Sequence, residues 1–382
     1  MIRSRPDAVL ESAVAAGQLV GVAATAWSES GLRYAGGAGT CGSTAMRPDT
    51  VVWVASMTKV VTAAAVMQLV ESHQLDLDQP AGDFVPYLAE VQVLVGLGDD
   101  GTAVLRPPIT PVTTRQLLAH TSGFGYNWTD ASLARHVPSL PKALSGSQAG
   151  YEHPLTFDPG EQWSYGIGTD WAGRVGEAVA GERLDAYFAN HLLGPLQMVD
   201  TTFSAAMFDP ARVATMHVRG PEGLTPIPFG LPQNPEMFMA GGGLYSTAVD
   251  FLRFTRMLLC GGTLDGIRVL RPESVDQMTT NQIGVLDAAG WTSYNAGLSN
   301  DVELGAATPA KWGLGLLIDE GDTANGRATG TVGWAGLPNT YFWIDLQRRV
   351  TGVFVTQVLP FYDPVALEVY ANFERAIYDA TR

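Results

Sequence analysis

The chain reads VVWVASMTKVVTAAAVMQLVE at residues 51–71, and this is its most apolar stretch. After Ser56 the apolar residues fall on nearly every face of a helix, which is typical of a helix buried between the layers of a domain. The stretch also carries Lys59 and Gln68, and it is too polar for a comfortable membrane span. It therefore predicts a buried core helix whose N-terminus lies near Ser56.

Ser56 and Lys59 lie three residues apart, so their side chains share one face of this helix. A serine hydroxyl is a poor nucleophile until a neighbouring base accepts its proton. A lysine among apolar side chains can serve as that base, because burial disfavours the charged amine. The helix N-terminus would also favour the negative charge that develops during attack. The pair predicts a nucleophilic Ser56 that is activated by Lys59.

Ser-x-x-Lys is by itself a weak pattern, and the chain has a second copy at residues 139–142. That copy contains Pro141, which is disfavoured inside a helix, so its serine and lysine need not share a face. The chain has only three lysines, Lys59, Lys142 and Lys311. Burying one of them without a partner would cost on the order of several kcal/mol, which favours a functional Lys59. A structural lysine whose amine reaches solvent remains the alternative interpretation.

The helix at Ser56 resembles the nucleophile helix of class C β-lactamases, penicillin-binding peptidases and the β-lactamase-like family VIII carboxylesterases. Further stretches resemble landmarks of the same superfamily, and they come in the same order. They are Leu-Leu-Ala-His-Thr-Ser-Gly at residues 117–123, Phe-x-Pro-Gly at residues 157–160 and Gly-Leu-Tyr-Ser-Thr-Ala-x-Asp at residues 243–250. The resemblance covers roughly residues 20–357, and the ordered set is more specific than any one motif.

Tyr165 matches the tyrosine of the family's Tyr-x-Asn motif, where a phenol oxygen near the serine and lysine relays a proton to the leaving group. Ile167 stands at the asparagine position of that motif, whose amide holds the substrate side chain in β-lactamases. The third motif, Lys-Thr-Gly in lactamases, aligns with Trp334-Ala335-Gly336, which resembles the Trp-x-Gly of the esterases. An indole offers an apolar wall and one donor, so both departures favour a neutral ester over a β-lactam.

The same resemblance implies an oxyanion hole made by the backbone N–H groups of Ser56 and Leu337. Four residues are expected to contact the substrate: Trp334, Gly336, Tyr126 and Trp128. His120 corresponds to a family histidine that supports the fold, and we assign it to structure. For Tyr165 and Trp334, ordinary packing in a helical domain and in a strand remains the alternative interpretation.

The resemblance implies an α/β fold of the α+β type. In this class C β-lactamase-like fold an antiparallel sheet is flanked by N- and C-terminal helices and joined to a mainly helical domain. Residues 1–80 and 300–382 would form the sheet domain and residues 81–299 the helical domain, with the active site between them. Hydrophobic patterns predict strands at residues 312–318, 341–345 and 350–358, a loop at residues 287–308 and a last helix at residues 365–378.

Charge and residue usage disfavour several classes of protein. The formal charge is −15 and no run of Lys or Arg is long enough to neutralise successive phosphates, so neither nucleic acid nor an anionic membrane is an expected partner. The six histidines lack metal-ligand spacing and the two cysteines lie far apart, so no metal or other cofactor is expected. The N-terminus has no apolar signal region, which predicts a cytoplasmic protein. The expected partner is a small-molecule ester.

The sequence thus predicts a serine carboxylesterase that hydrolyses small neutral, short-chain acyl esters through an acyl-enzyme on Ser56. Amide chemistry, as in a β-lactamase or D-aminopeptidase, and acyl transfer to an alcohol remain alternatives on the same fold. A binding module that has kept the fold and lost turnover is an alternative of a different class. An α/β-hydrolase is disfavoured, because Gly-x-Ser-x-Gly does not occur in the sequence.

Overall fold

The computed structural model of the chain describes residues 5–136, 146–305, 309–321 and 323–381. The helices of these residues are α1 (Arg5–Ala15), α2 (Thr58–Glu71), α3 (Pro86–Glu90), α4 (Thr114–Leu118), α5 (Ala131–His136), α6 (Gly168–Ala180), α7 (Leu184–Phe188), α8 (Ala248–Leu259), α9 (Pro272–Thr279) and α10 (Pro364–Thr381). The strands are β1 (Gly21–Ser28), β2 (Gly31–Gly39), β3 (Val52–Trp53), β4 (Val93–Leu97), β5 (Ala103–Arg106), β6 (Met216–Gly220), β7 (Gly223–Ile227), β8 (Tyr245–Ser246), β9 (Thr263–Leu264), β10 (Ile267–Arg268), β11 (Gly290–Trp291), β12 (Val302–Glu303), β13 (Lys311–Trp312), β14 (Leu317–Ile318), β15 (Val332–Gly336), β16 (Thr340–Asp345), β17 (Val350–Val355) and β18 (Val358–Leu359). The second Ser-x-x-Lys copy, at residues 139–142, lies outside the described residues.

A seven-stranded antiparallel sheet forms the centre of the fold, in the strand order β13-β14-β15-β16-β17-β1-β2. It joins residues 21–39 to residues 311–355, which lie far apart along the chain. Every residue of β16 and β17 is buried, because helices cover both faces of the sheet. Both strands are accordingly rich in β-branched and aromatic residues on both faces.

Helices cover the two faces of this sheet. On one face α1 packs beside α10, around buried side chains that include Leu10, Trp343 and Phe373. On the other face α8 packs against β1 and β17. α8 begins where the Thr247 hydroxyl accepts a hydrogen bond from the backbone N–H of Asp250, the usual device of an N-cap threonine. The predicted antiparallel sheet flanked by N- and C-terminal helices is confirmed, with both of these helices on one face, while the division into two domains stays a prediction.

The helix α2 lies at the centre of the molecule and packs against α6 and α9. Nearly all of its residues are buried, Lys59 included, so the predicted core helix is confirmed. A 3-10 turn, Ala55–Met57, leads into it, and Ala55 has a φ of 45°, a left-handed conformation that costs an alanine strain. This sharp turn presents Ser56 at the N-terminal end of α2. Within the described residues, no helix is long and apolar enough to cross a membrane.

Two strand predictions are wrong in detail. The strand expected at residues 312–318 is a hairpin of β13 and β14, because Gly315, with a φ of 75°, turns the chain back. A Cβ at Gly315 would lie 3.0 Å from the carbonyl oxygen of Lys59, so this turn packs directly on α2. The strand expected at residues 350–358 divides into β17, which belongs to the main sheet, and β18, which pairs in parallel with β6.

The strand β15 was not predicted, because Val332–Gly336 contains two glycines and little β-branched character. It becomes a strand because β14 and β16 pair with it on its two sides. The loop expected at residues 287–308 contains a short ladder, in which Gly290 faces Glu303 and Trp291 faces Val302. Its last three residues, 306–308, lie outside the described residues.

Candidate active site

The structure brings Ser56 and Lys59 together at the start of α2. Lys59 Nζ donates a hydrogen bond to Ser56 Oγ over 3.2 Å. Lys59 is fully buried, whereas Ser56 keeps partial exposure and lines a pocket. An amine within hydrogen-bond distance of a serine hydroxyl is the arrangement that activates a serine nucleophile. The catalytic roles of the pair stay a prediction.

Lys59 Nζ has two further hydrogen-bond partners. With Ser56 Oγ this makes three, which is the largest number that a lysine amine can donate to. It donates to the carbonyl oxygen of Gly241 over 2.7 Å and to the Tyr126 hydroxyl over 3.1 Å. The sequence analysis expected Tyr126 to contact the substrate. In the structure its hydroxyl contacts Lys59, and Tyr126 is not among the residues that line the pocket. Desolvation, and then the nearby Asp170 carboxylate, raise the pKa of Tyr126 well above its ordinary value, so this phenol stays protonated at neutral pH.

Tyr165 approaches the same amine with its ring. Lys59 Nζ lies 4.8 Å from the ring centroid, and the Tyr165 hydroxyl accepts a hydrogen bond from Trp334 Nε1 over 3.0 Å. The structure thus brings together the tyrosine and the tryptophan that the resemblance placed in separate motifs, residues 169 positions apart. A cation over a ring face is favourable, and the indole donor fixes the direction of the phenol oxygen.

Gly336 and Leu337 lie where β15 ends, next to the turn that holds Ser56. A Cβ at Gly336 would lie 2.2 Å from the carbonyl oxygen of Val54, so only glycine allows β15 to approach this turn so closely. Leu337 and Ser56 both line the pocket. Their placement is compatible with the predicted oxyanion hole, which stays a prediction.

The pocket above Ser56 has mainly aromatic walls. Its lining consists of Ser56, Trp128, Tyr165, Trp291, Trp334, Ala335, Gly336, Leu337 and Phe361. The lining contains no Asp, Glu, Lys, Arg or His. They leave a void of only about 10 Å³, which is about the least that one water molecule needs. Trp128 lines the pocket as expected, and Trp291 was not predicted because it lies in a segment that read only as a loop.

Asp170 is a second residue that sequence reasoning missed. It is 1% exposed in the first turn of α6 and accepts a hydrogen bond from the Gly241 N–H over 2.9 Å, while the Gly241 carbonyl accepts from Lys59. Burial raises the pKa of Asp170 to about 6, and the nearby Lys59 opposes that rise. The only feature of the sequence that could have indicated a role for Asp170 is its position five residues after Tyr165.

We expect Asp170→Asn to remove part of the pH dependence of stability. Because burial favours the protonated acid in the folded state, its contribution to stability is fully present below about pH 4 and is lost as the pH rises through about 6. A pKa of about 6 in place of 3.8 corresponds to about 3 kcal/mol. In urea unfolding, the free energy of unfolding should therefore fall less between pH 4 and pH 7 in the variant than in the wild type.

Asp78→Asn supplies a control for that experiment, because the Asp78 carboxyl titrates below the pH range that is compared. The hydrogen bond from Arg115 lowers the pKa of Asp78, so its contribution to stability is present above about pH 4 and is lost only at lower pH. Between pH 4 and pH 7 its variant should therefore show the same change in the free energy of unfolding as the wild type. Equal pH dependence in the wild type and in Asp170→Asn would contradict the prediction for Asp170.

His120 lies behind Tyr165, with the two ring centroids 4.8 Å apart. Its Nδ1 accepts a hydrogen bond from the Gly166 N–H over 3.4 Å. Burial, and then Lys59, lower the pKa of His120 well below its ordinary value, so the imidazole is neutral at pH 7. These contacts agree with a supporting role. Among the residues that the structure describes, no three His, Cys, Asp or Glu side chains cluster in a way that could hold a metal ion.

Comparison with known proteins gives consistent findings over most of the chain. A family model described as Beta-lactamase matches residues 6–376. The chain is 31% identical over 353 residues to lovastatin esterase of Penicillium rubens, covering 86% of this chain and 85% of that protein. It is 32% identical over 341 residues to acyltransferase calJ of Penicillium decumbens, covering 85% and 79%. Among solved structures, unliganded simvastatin synthase (LovD) from Aspergillus terreus superposes with a TM-score of 0.83 at 28% identity, covering 98% and 97% of the two chains.

Proposed function

The chain belongs to the β-lactamase family, and we propose that it is a carboxylesterase for small neutral esters, of the family VIII type. It is a serine hydrolase by kinship, since its relatives include proteins named as an esterase and as acyltransferases. One observation carries the finer proposal. The Lys59 amine lies 3.2 Å from Ser56 Oγ beside a pocket whose lining side chains carry no charge.

In the proposed reaction Ser56 Oγ attacks the ester carbonyl carbon while Lys59 Nζ, in its neutral form, accepts the hydroxyl proton. The carbonyl and hydroxyl that flank Lys59 Nζ hold the amine in position. The backbone N–H groups of Ser56 and Leu337 would stabilise the oxyanion. Tyr165, held by the Trp334 indole, donates a proton to the leaving alcohol oxygen and regains one from Lys59, so the serine proton leaves with the alcohol. Water then attacks the acyl carbon and gives a proton to Lys59, which passes it to Ser56 Oγ as the ester bond to Ser56 breaks and the acid is released.

The preference for neutral esters rests on two positions. Trp334 lines the pocket where lactamases carry the lysine of Lys-Thr-Gly, and its indole is engaged with the Tyr165 hydroxyl. Ile167 provides no amide to hold an acylamino side chain. Neither residue offers a cation to a substrate carboxylate, so a β-lactam would lose the partner that its carboxylate needs.

Acyl transfer to an alcohol is a second candidate, and a specific observation favours it. The lining of the pocket is mainly aromatic and carries no Asp, Glu, Lys, Arg or His, so it suits the apolar body of an alcohol better than a free water molecule. Similar proteins are named lovastatin esterase and acyltransferase calJ. Measuring the ratio of ester exchange to acid release in added alcohol would decide between hydrolysis and transfer as the main activity.

The proposal is tested with a series of p-nitrophenyl esters from acetate to octanoate and with nitrocefin. We expect turnover that is fastest on the short esters, with little cleavage of nitrocefin, because the pocket is small, aromatic and uncharged. Fast nitrocefin cleavage would contradict the esterase assignment. Absence of both ester turnover and labelling by a serine-directed phosphonate would instead support the binding module that has lost catalysis.

A further inference from the structure

Trp291 occupies the space in which a substrate would have to lie. Its ring is nearly parallel to that of Tyr165, at 12° with centroids 5.0 Å apart, and also to that of Phe361, at 18° and 6.0 Å. The indole therefore lies between two walls of the catalytic pocket. With only about 10 Å³ left beside Ser56, an ester can enter only if one of these walls moves.

The surroundings of each wall indicate which one can move. Tyr165 and Trp334 are buried and hydrogen-bonded to each other, and Trp334 lies within the central sheet. Trp291 is half-buried and belongs to a ladder of only two residue pairs. Its indole Nε1 donates to Ser299 Oγ over 3.2 Å. A ladder of two residue pairs opens at lower free energy than a strand that is paired on both sides, so we expect Trp291 to move before Trp334 does.

The ring contact with Tyr165 also indicates which half of the ester Trp291 meets. In the proposed reaction Tyr165 protonates the leaving oxygen, so side chains packed on its ring border the alcohol half. A second cavity, of about 160 Å³, lies beyond the pocket and shares Trp334, Ala335 and Phe361 with it as walls.

We propose that Trp291 is the residue that determines which alcohols this enzyme accepts. Its indole admits esters of small or flat alcohols, which slide along the ring, and excludes those of bulky alicyclic alcohols. This inference rests on the proposed esterase function, because it uses Tyr165 as the donor to the leaving alcohol. It adds a specificity residue and a substrate class to that function.

The test compares Trp291→Ala with the wild type on two ester series. One keeps the acetyl group and enlarges the alcohol from ethyl to cyclohexyl to menthyl, and the other keeps ethanol and lengthens the acyl chain. We expect the kcat/KM of menthyl acetate relative to ethyl acetate to rise roughly tenfold or more, since even one methylene in a tight pocket changes discrimination by that order. The acyl series should keep its wild-type ratios.

Two further variants complete the design. Trp291→Phe keeps an aromatic ring of smaller size and should give an intermediate shift, which covers the case in which the alanine variant fails to fold. Trp27→Ala is the matched control. Trp27 is also half-buried, but it lies on β1 against Arg256 and does not line the pocket, so its variant should leave both ratios unchanged.

The possible outcomes separate this inference from the function on which it rests. Wild-type turnover of ethyl acetate with unchanged alcohol ratios in both Trp291 variants would overturn the inference and leave the esterase proposal standing. A shift confined to the acyl series would also overturn it, because Trp291 would then border the acyl half. Absence of ester turnover in the wild type would overturn both.

Discussion

Ser56→Ala is expected to reduce ester turnover by at least about 10³-fold, because loss of a serine nucleophile leaves only substrate binding and oxyanion stabilisation. The side chain is partly exposed at the end of a 3-10 turn, so removing one oxygen should leave the fold intact. The measurement is kcat/KM for p-nitrophenyl acetate, with labelling by a serine-directed phosphonate read by mass spectrometry. The variant should show neither turnover nor labelling.

Ser72→Ala is the matched control for that variant, since Ser72 lies just beyond the opposite end of α2 and is exposed. It should keep both turnover and labelling. If Ser56→Ala retained wild-type turnover, Ser56 would not be the nucleophile, and the phosphonate-labelled peptide would identify the residue that is.

Lys59→Met should reduce turnover by about 10²- to 10⁴-fold, the range that a positioned general base contributes. Methionine replaces the aliphatic part of the buried side chain and removes the amine that lies 3.2 Å from Ser56 Oγ. Lys59→Arg separates a base from a fixed charge, because arginine stays protonated in proteins. A general-base role predicts that the arginine variant is also inactive. Turnover is measured alongside thermal unfolding, so that loss of activity is distinguished from loss of the fold.

Lys311→Met is the control for the lysine series. Lys311 pairs with Asp287 and donates to the carbonyl oxygen of Leu286, away from the catalytic pocket. Its variant should keep the wild-type rate. If Lys59→Arg were active where Lys59→Met is not, a positive charge would suffice. Lys59 would then act as an electrostatic partner of Ser56 and not as its general base.

Much of the fold follows from local patterns. The helix α2 is apolar on nearly every face and nearly all of its residues are buried, and α8 begins at Thr247 with the cap that this residue type favours. The prediction failed where local pattern and pairing disagree. β15 lacks the composition of a strand, and it is a strand because neighbouring strands pair with both of its edges.

The candidate site divides in the same way. Ser56 and Lys59 could be paired from their spacing alone, because one helical turn places them on one face. Tyr165 and Trp334 could be identified only through the order of the motifs. Their hydrogen bond connects the segment before α6 with β15, which lies far away along the chain. Tyr126 was expected at the substrate, and its contact with Lys59 depends on a loop that carries no periodic signal.

What the sequence determined by itself is the set of elements and groups whose geometry is local: a buried helix that begins near Ser56, a serine and lysine one turn apart, and the absence of a cation at the third motif. The tertiary structure alone decided that Asp170 holds the Gly241 peptide against Lys59 and that Trp291 fills the pocket over Tyr165. The physical reason is that side-chain periodicity is set within a few residues along one element. Contacts between Trp291 and Tyr165 depend instead on how separate elements pack, and nothing in either segment encodes that packing.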